Sequence, residues 1–259
     1  MDDRARRAVA ILSFVKSRGF AKVTEIADAV RVSPMTARRD LRRLEEENLV
    51  HVVHGGVMPI SEVGGSPKEA PYSLIAEGSH MSVEKARIGS KAASLLEPDD
   101  IVVMDSGSTT EYLAKRIPED LPLTIICYTL NVLFEVYRRK ACKLIFAGGH
   151  YHENTMMFES AEGVEFLRKL RVAKAFLGAT GVHHRFGVTC SDSFEPAVKR
   201  AVMGSSMSRI LLVDSSKFGV VRPFHFAELA DFEVIVTDRG VSAEYVEAIR
   251  KSGKALHVV

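Results

Sequence analysis

Apolar positions over the first fifty or so residues repeat at helical spacing; beyond about residue 80 they gather into short continuous runs separated by further helical stripes. Ala8, Ile11, Leu12 and Val15 share one face of a helix over about residues 4–17, which Arg18-Gly19 stops. A shorter helix runs from Thr24, a suitable N-cap, to Val30, with Arg31-Val32 as the turn. Ser33 then caps a third helix, and Pro34 sits at its first position, where a missing N–H costs nothing. On that helix Ala37, Leu41 and Leu44 form the face to be buried. Met35, Arg39 and Arg42 lie opposite, flanked by Arg38 and Arg43. The alternating stretch from Leu49 to Val57 turns at Gly55-Gly56, as a wing hairpin would. These elements predict a winged helix-turn-helix over residues 1–57.

Residues 58–79 hold Pro59, Gly64, Gly65, Ser66, Pro67 and Pro71 and are expected to be a linker. Residues 80–259 alternate helices with β runs, strands being expected over 101–104, 123–127, 142–147, 173–178, 209–213, 233–237 and 255–258. Such alternation predicts an α/β domain with a mostly parallel sheet covered by helices, and a ligand site at the carboxyl ends of its strands.

Composition changes this picture little. With 46% hydrophobic and 26% charged residues the chain can bury a core. Residues 1–60 carry eleven Lys/Arg against eight Asp/Glu, a weak bias towards nucleic acid. Cys127, Cys142 and Cys190 form no C-x-x-C pair and are expected to be buried free thiols in a reducing compartment. No apolar leader and no run of 18 apolar residues is present, so a cytoplasmic protein without a membrane partner is expected.

Candidate chemistry falls in two places. On the third helix Met35 and Thr36 suit base edges and thymine methyls, and Arg38 and Arg39 suit guanine or phosphate. Arg42, Arg43 and His54 suit phosphate, and Ser33 opens the recognition helix. The bland alternative is a solvated charged face pairing with Asp40, Glu45, Glu46 and Glu47. At the carboxyl ends of the strands stands the turn Asp105-Ser106-Gly107-Ser108-Thr109-Thr110, then Gly148-Gly149, Gly178 to Gly181 with Thr180, and Asp214 to Lys217. A strand turning through Gly and hydroxyl residues into a helix N-terminus makes an anion site, so phosphate is expected there with Lys217. Asp105 and Asp214 are expected to accept sugar hydroxyls. The bland alternatives are an Asp214 helix cap, an exposed Lys217 and ordinary glycine turns. His183 and His184 lack a spaced ligand partner, and neither metal nor cofactor is expected.

These residues carry a resemblance that covers nearly the whole chain. The run Val32-Ser33-Pro34-Met35-Thr36-Ala37-Arg38-Arg39-Asp40-Leu41, closing with His54-Gly55-Gly56, resembles the DeoR family of bacterial transcriptional regulators. The Asp105 turn, Gly148-Gly149 and Asp214-Ser215-Ser216-Lys217-Phe218-Gly219 resemble its sugar-phosphate sensor domain. Cys127-Tyr128-Thr129-Leu130-Asn131, Gly181-Val182-His183 and Lys217-Phe218-Gly219-Val220-Val221-Arg222-Pro223 are most similar to the branch that represses deoxyribonucleoside catabolism. The resemblance implies a homo-oligomeric repressor of operator DNA, released by a phosphorylated sugar such as deoxyribose 5-phosphate. The sensor domain also resembles ribose-5-phosphate isomerase and glucosamine-phosphate deaminase folds, which implies that Glu195 and Lys199 face the sugar; their alternative is a surface i,i+4 pair. An isomerase or deaminase with an accessory head is the rival function, disfavoured because catalysis has no use for a recognition helix.

Overall fold

The computed structural model describes residues 3–18, 21–46, 49–53, 56–59 and 72–259. They fall into two compact units, Met1–Glu69 and Ala70–Val259.

The first unit holds α1 (Asp3–Arg18), β1 (Ala21–Lys22), α2 (Val23–Ala29), α3 (Pro34–Glu46), β2 (Val50–Val53) and β3 (Gly56–Pro59). Helix α2 starts one residue before Thr24: Lys22 is its N-cap, and the Lys22 N–H donates to Glu25 Oε2 at 2.8 Å. Strands β2 and β3 form an antiparallel hairpin with Val52 opposite Val57, and β1 pairs with the outer side of β3. Ile11, Val15, Ile26, Leu41, Leu44 and Val57 close a small core under all three helices.

The second unit adds α4 (Leu74–Ser79), α5 (Ser82–Ala93), β4 (Ile101–Met104), α6 (Ser108–Arg116), β5 (Leu123–Cys127), α7 (Leu130–Val136), β6 (Cys142–Phe146), β7 (His150–His152), β8 (Met157–Glu159), α8 (Ala161–Lys169), β9 (Val172–Leu177), β10 (Gly181–His183), β11 (Gly187–Cys190), α9 (Glu195–Ser205), β12 (Ser206–Leu212), β13 (Phe224–Ala227), β14 (Val234–Thr237), α10 (Ala243–Lys251) and β15 (Ala255–Val258). Helix α4 corrects the expected linker: residues 72–79 belong to this unit, anchored by buried Leu74, whose N–H donates to Asn154 O at 2.7 Å.

Seven strands form an all-parallel sheet in the order β15-β14-β12-β9-β4-β5-β6. Alternate residues of each strand serve opposite faces. Val103, Ile126 and Ala175 join one core with α8 and α9. Val102, Met104, Ile125 and Phe176 join the other with α5, α6 and α7. Both faces are covered, which is why the strands read as unbroken apolar runs. From β4 the chain moves outward to β5 and β6, then returns to β4's other side at β9 and continues to β12. The strand order therefore reverses between β4 and β9, the place where an open parallel sheet leaves a crevice beyond its carboxyl ends.

No described helix is long and apolar enough to cross a membrane.

Candidate functional site

In the first unit α3 presents the candidate nucleic-acid interface. Ser33 Oγ accepts the Thr36 N–H at 3.1 Å and lies 2.9 Å from Thr36 Oγ1, so the cap is made and the Thr36 hydroxyl is engaged locally. Ala37, Leu41 and Leu44 are buried, whereas Arg38, Arg39, Arg42 and Arg43 are exposed and Met35 is 79% exposed. A methionine at the start of a basic helix face suits contact with an apolar base edge. Asp40 is taken by Arg7 of α1 at 2.6 Å, which ties α3 to the first helix. His54 lies outside the described residues. Ser33→Ala is expected to cost about 1 kcal/mol of stability through loss of the cap, measured by urea unfolding.

In the second unit a narrow cleft, partly open to solvent, sits at the sheet's switch point. Its floor is the end of β4, where Ser106, Gly107, Ser108 and Thr109 lead into α6. Gly178 and Thr180 follow β9, and Asp214 and Lys217 follow β12. Gly107 has φ 154°, and a Cβ there would meet Thr110 Oγ1 at 3.3 Å, so the turn is built for glycine. The hydroxyls of Ser106, Ser108 and Thr109 line the cleft. The first-turn N–H groups of α6 have no intrahelical acceptors and point the same way.

The structure brings most of the expected residues together, with three corrections. Asp105 is fully buried beneath the cleft: its carboxylate accepts Lys199 Nζ at 2.5 Å, the Gly178 N–H at 2.9 Å and the Tyr128 hydroxyl. With those donors satisfied it supports the floor and is not a sugar acceptor. Thr110 turns inward, donating to Asp105 O and Gly107 O, both at 2.8 Å. Gly148 and Gly149 follow the edge strand β6, two strands from β4, and do not line the cleft. Gly149 instead permits a close chain crossing, since a Cβ would fall 2.4 Å from the Glu159 carbonyl carbon.

Sequence reasoning missed Tyr72, Glu77 and Lys85, all of which line the cleft. Glu77 and Tyr72 gave no pattern to read. Lys85 did: it shares the buried stripe of α5 with Ile88 and Ala92, an odd place for a lysine. It is 1% exposed, donates to Glu77 O at 2.6 Å and stands 3.8 Å from Asp214 Oδ2. Burial pulls its ammonium below the usual lysine value, and Glu77 and Asp214 restore only part of that. Asp214 Oδ1 caps the next turn through the Ser216 N–H at 3.0 Å, as the bland reading had it, while its Oδ2 has no hydrogen-bond partner among the described residues. Glu195 and Lys199 are both buried, 3.5 Å apart, and so are not a surface pair. Burial raises the Glu195 carboxyl above its ordinary value despite Lys199. Burial works against the Lys199 charge, but Asp105 and Glu195 outweigh it and raise its pKa. Lys217 is paired with Glu77 of α4, and although burial works to raise it, the Glu77 carboxyl is held below its ordinary value by Lys217 and then Lys85.

A head with an exposed basic recognition helix, in one chain with an α/β domain whose cleft gathers lysines and free hydroxyls, makes a transcriptional regulator with a sensor domain. The chain belongs to the DeoR family: residues 7–63 match the DeoR-like helix-turn-helix domain and residues 80–239 the DeoR C terminal sensor domain. It is 31% identical to the Deoxyribose operon repressor of Escherichia coli K12, over 94% of both chains. It is 32% identical to the Lactose phosphotransferase system repressor of Lactococcus lactis, over 95% of both. Among solved structures it is distantly similar to ribose 5-phosphate isomerase A from Methanocaldococcus jannaschii (TM-score 0.40, 16% identity, 53% of this chain and 55% of that one). A second is the Sorbitol Operon Regulator SorC from Klebsiella pneumoniae (TM-score 0.38, 12% identity, 84% and 90%). The relatives named for a function are regulators and repressors, which removes the enzyme with an accessory head as a rival.

Proposed function

We propose that the chain is a repressor that holds operator DNA through α3 and releases it when a phosphorylated sugar enters the cleft. The observation that carries this reading is the convergence of the Ser106, Ser108 and Thr109 hydroxyls and the α6 N-terminus with Lys85 and Lys217. A phosphate placed there meets oriented donors, a favourable helix dipole and cationic side chains. Asp214 Oδ2, which makes no hydrogen bond among the described residues, and the Glu195 carboxyl belong to the same cleft and supply acceptors or donors for sugar hydroxyls. The resemblance to the Deoxyribose operon repressor points to a pentose such as deoxyribose 5-phosphate as that sugar. Release follows if the bound sugar favours a sensor state that spaces paired DNA heads differently. Paired heads require a homo-oligomer, whose two-fold symmetry matches a palindromic operator.

A thermal-shift panel of pentose and hexose phosphates tests the effector. At about 100-fold over Kd a ligand adds roughly 2.7 kcal/mol, a rise of about 5–10 °C for a domain of this size. Deoxyribose 5-phosphate is expected to stand out. A larger shift from a hexose phosphate would change the sugar, and no shift from any member would overturn the reading. Thr109→Leu fills the phosphate end of the cleft, so this variant is expected to lose the thermal shift and keep operator affinity.

A further inference from the structure

Every lysine lining the cleft already has an anionic or carbonyl partner from within the chain. Lys199 is spent on Asp105 and on Gly178 O, 3.2 Å away. Lys217 is spent on the carboxylate of Glu77, and Lys85 on Glu77 O, with the Glu77 carboxylate 4.0 Å from its ammonium. Lys85, Lys199 and Lys217 are matched by Glu77, Glu195 and Asp214 along the cleft wall, with Asp105 behind them. With Asp105 counted, four carboxylates face three lysines, so the cleft has no net positive charge to attract a dianion. Withdrawing one carboxylate leaves its lysine partners free for the phosphate, and Glu77, on the short helix α4, is the one that holds both Lys217 and Lys85.

Helix α4 is six residues long, too short to persist without docking. Among the described residues its attachments are Leu74 in the core, the Leu74 N–H on Asn154 O, packing against α6, and the Glu77 contacts with Lys85 and Lys217. Ile75, on its other side, is 74% exposed. Between α4 and α5 stands Met81 at φ 53°, a left-handed joint that a non-glycine residue holds at a cost. In sequence α4 lies directly after the stretch that leads from the DNA-binding unit.

We propose that Glu77 is the cleft's own counter-anion: it holds Lys217 and Lys85 until the phosphate of the effector displaces it, and its release loosens α4. The inference rests on the proposed phosphorylated effector. It assigns to Glu77 the role of an internal competitor, and to α4 that of the element which registers occupancy at the head of the sensor domain.

The two halves of the ion pair then have opposite effects on binding. Full-length wild type, Glu77→Gln and Lys217→Met are compared by calorimetric titration with deoxyribose 5-phosphate, ribose 5-phosphate, glucose 6-phosphate and inorganic phosphate, and by amide hydrogen exchange over residues 72–81 without ligand. Glu77→Gln is expected to bind the preferred sugar phosphate at least about tenfold more tightly, since a competing charge is gone. Lys217→Met is expected to bind it at least about tenfold more weakly. Both are expected to exchange faster across α4. Wild-type binding with equal or weaker binding by Glu77→Gln would leave the effector reading standing and overturn the role of Glu77. Binding by neither wild type nor Glu77→Gln would overturn both. An ion pair that only holds the helix down would shift both variants in the same direction, which also defeats the proposal.

Discussion

Asp105→Ala is expected to destabilise the protein by about 3–5 kcal/mol, because it strands a buried ammonium. Lys199 is 1% exposed and, among the described residues, would keep only Glu195, 3.5 Å away, as a charged partner. The Tyr128 hydroxyl and the Gly178 N–H, both donating to Asp105, would lose their acceptor as well. Removing both charges is predicted to be milder than removing either, so the double variant Asp105→Ala/Lys199→Met should recover much of the loss. Denaturant unfolding of the three variants checks this, since the coupling between Asp105 and Lys199 is the non-additive part. Equal stability of Asp105→Ala and wild type would mean that the floor of the cleft is not held by this cluster.

Arg39→Ala carries the second large effect. Arg39 is exposed on the face of α3 opposite Ala37, Leu41 and Leu44, so its loss should leave stability within about 0.5 kcal/mol. If it contacts guanine or phosphate, each head loses about 1–3 kcal/mol, and a pair of heads about twice that. Operator affinity is therefore expected to fall by roughly 30-fold to more than 1,000-fold in a band-shift titration, with the thermal shift from sugar phosphate unchanged. Retained specific binding would argue against this face as the reader of DNA.

The helices and parallel strands were legible because each buries a stripe or a whole run, and periodicity reports burial. The short antiparallel strands β7, β8, β10, β11 and β13 were not: at three or four residues each, they leave no period to detect. The floor of the cleft was legible for a similar reason. Ser106, Ser108 and Thr109 sit where a strand becomes a helix, and such a junction is visible in sequence. What sequence could not give was facing. Asp105 and Thr110 belong to the same turn, yet their side chains point away from the cleft into Tyr128, Lys199 and the backbone. Strand order was equally hidden, and it alone sets Gly148-Gly149 apart from the site. Glu77 lay in a stretch rich in Pro and Gly upstream, where composition suggested only a linker.

Whether the cleft governs the DNA-binding head is tested most directly by titrating deoxyribose 5-phosphate into full-length protein bound to a duplex selected from a random library, wild type beside Thr109→Leu. The wild type is expected to lose operator affinity as the sugar phosphate rises, and Thr109→Leu to hold the same duplex undisturbed. An identical response from the two proteins would contradict a sensor site at residues 106–109.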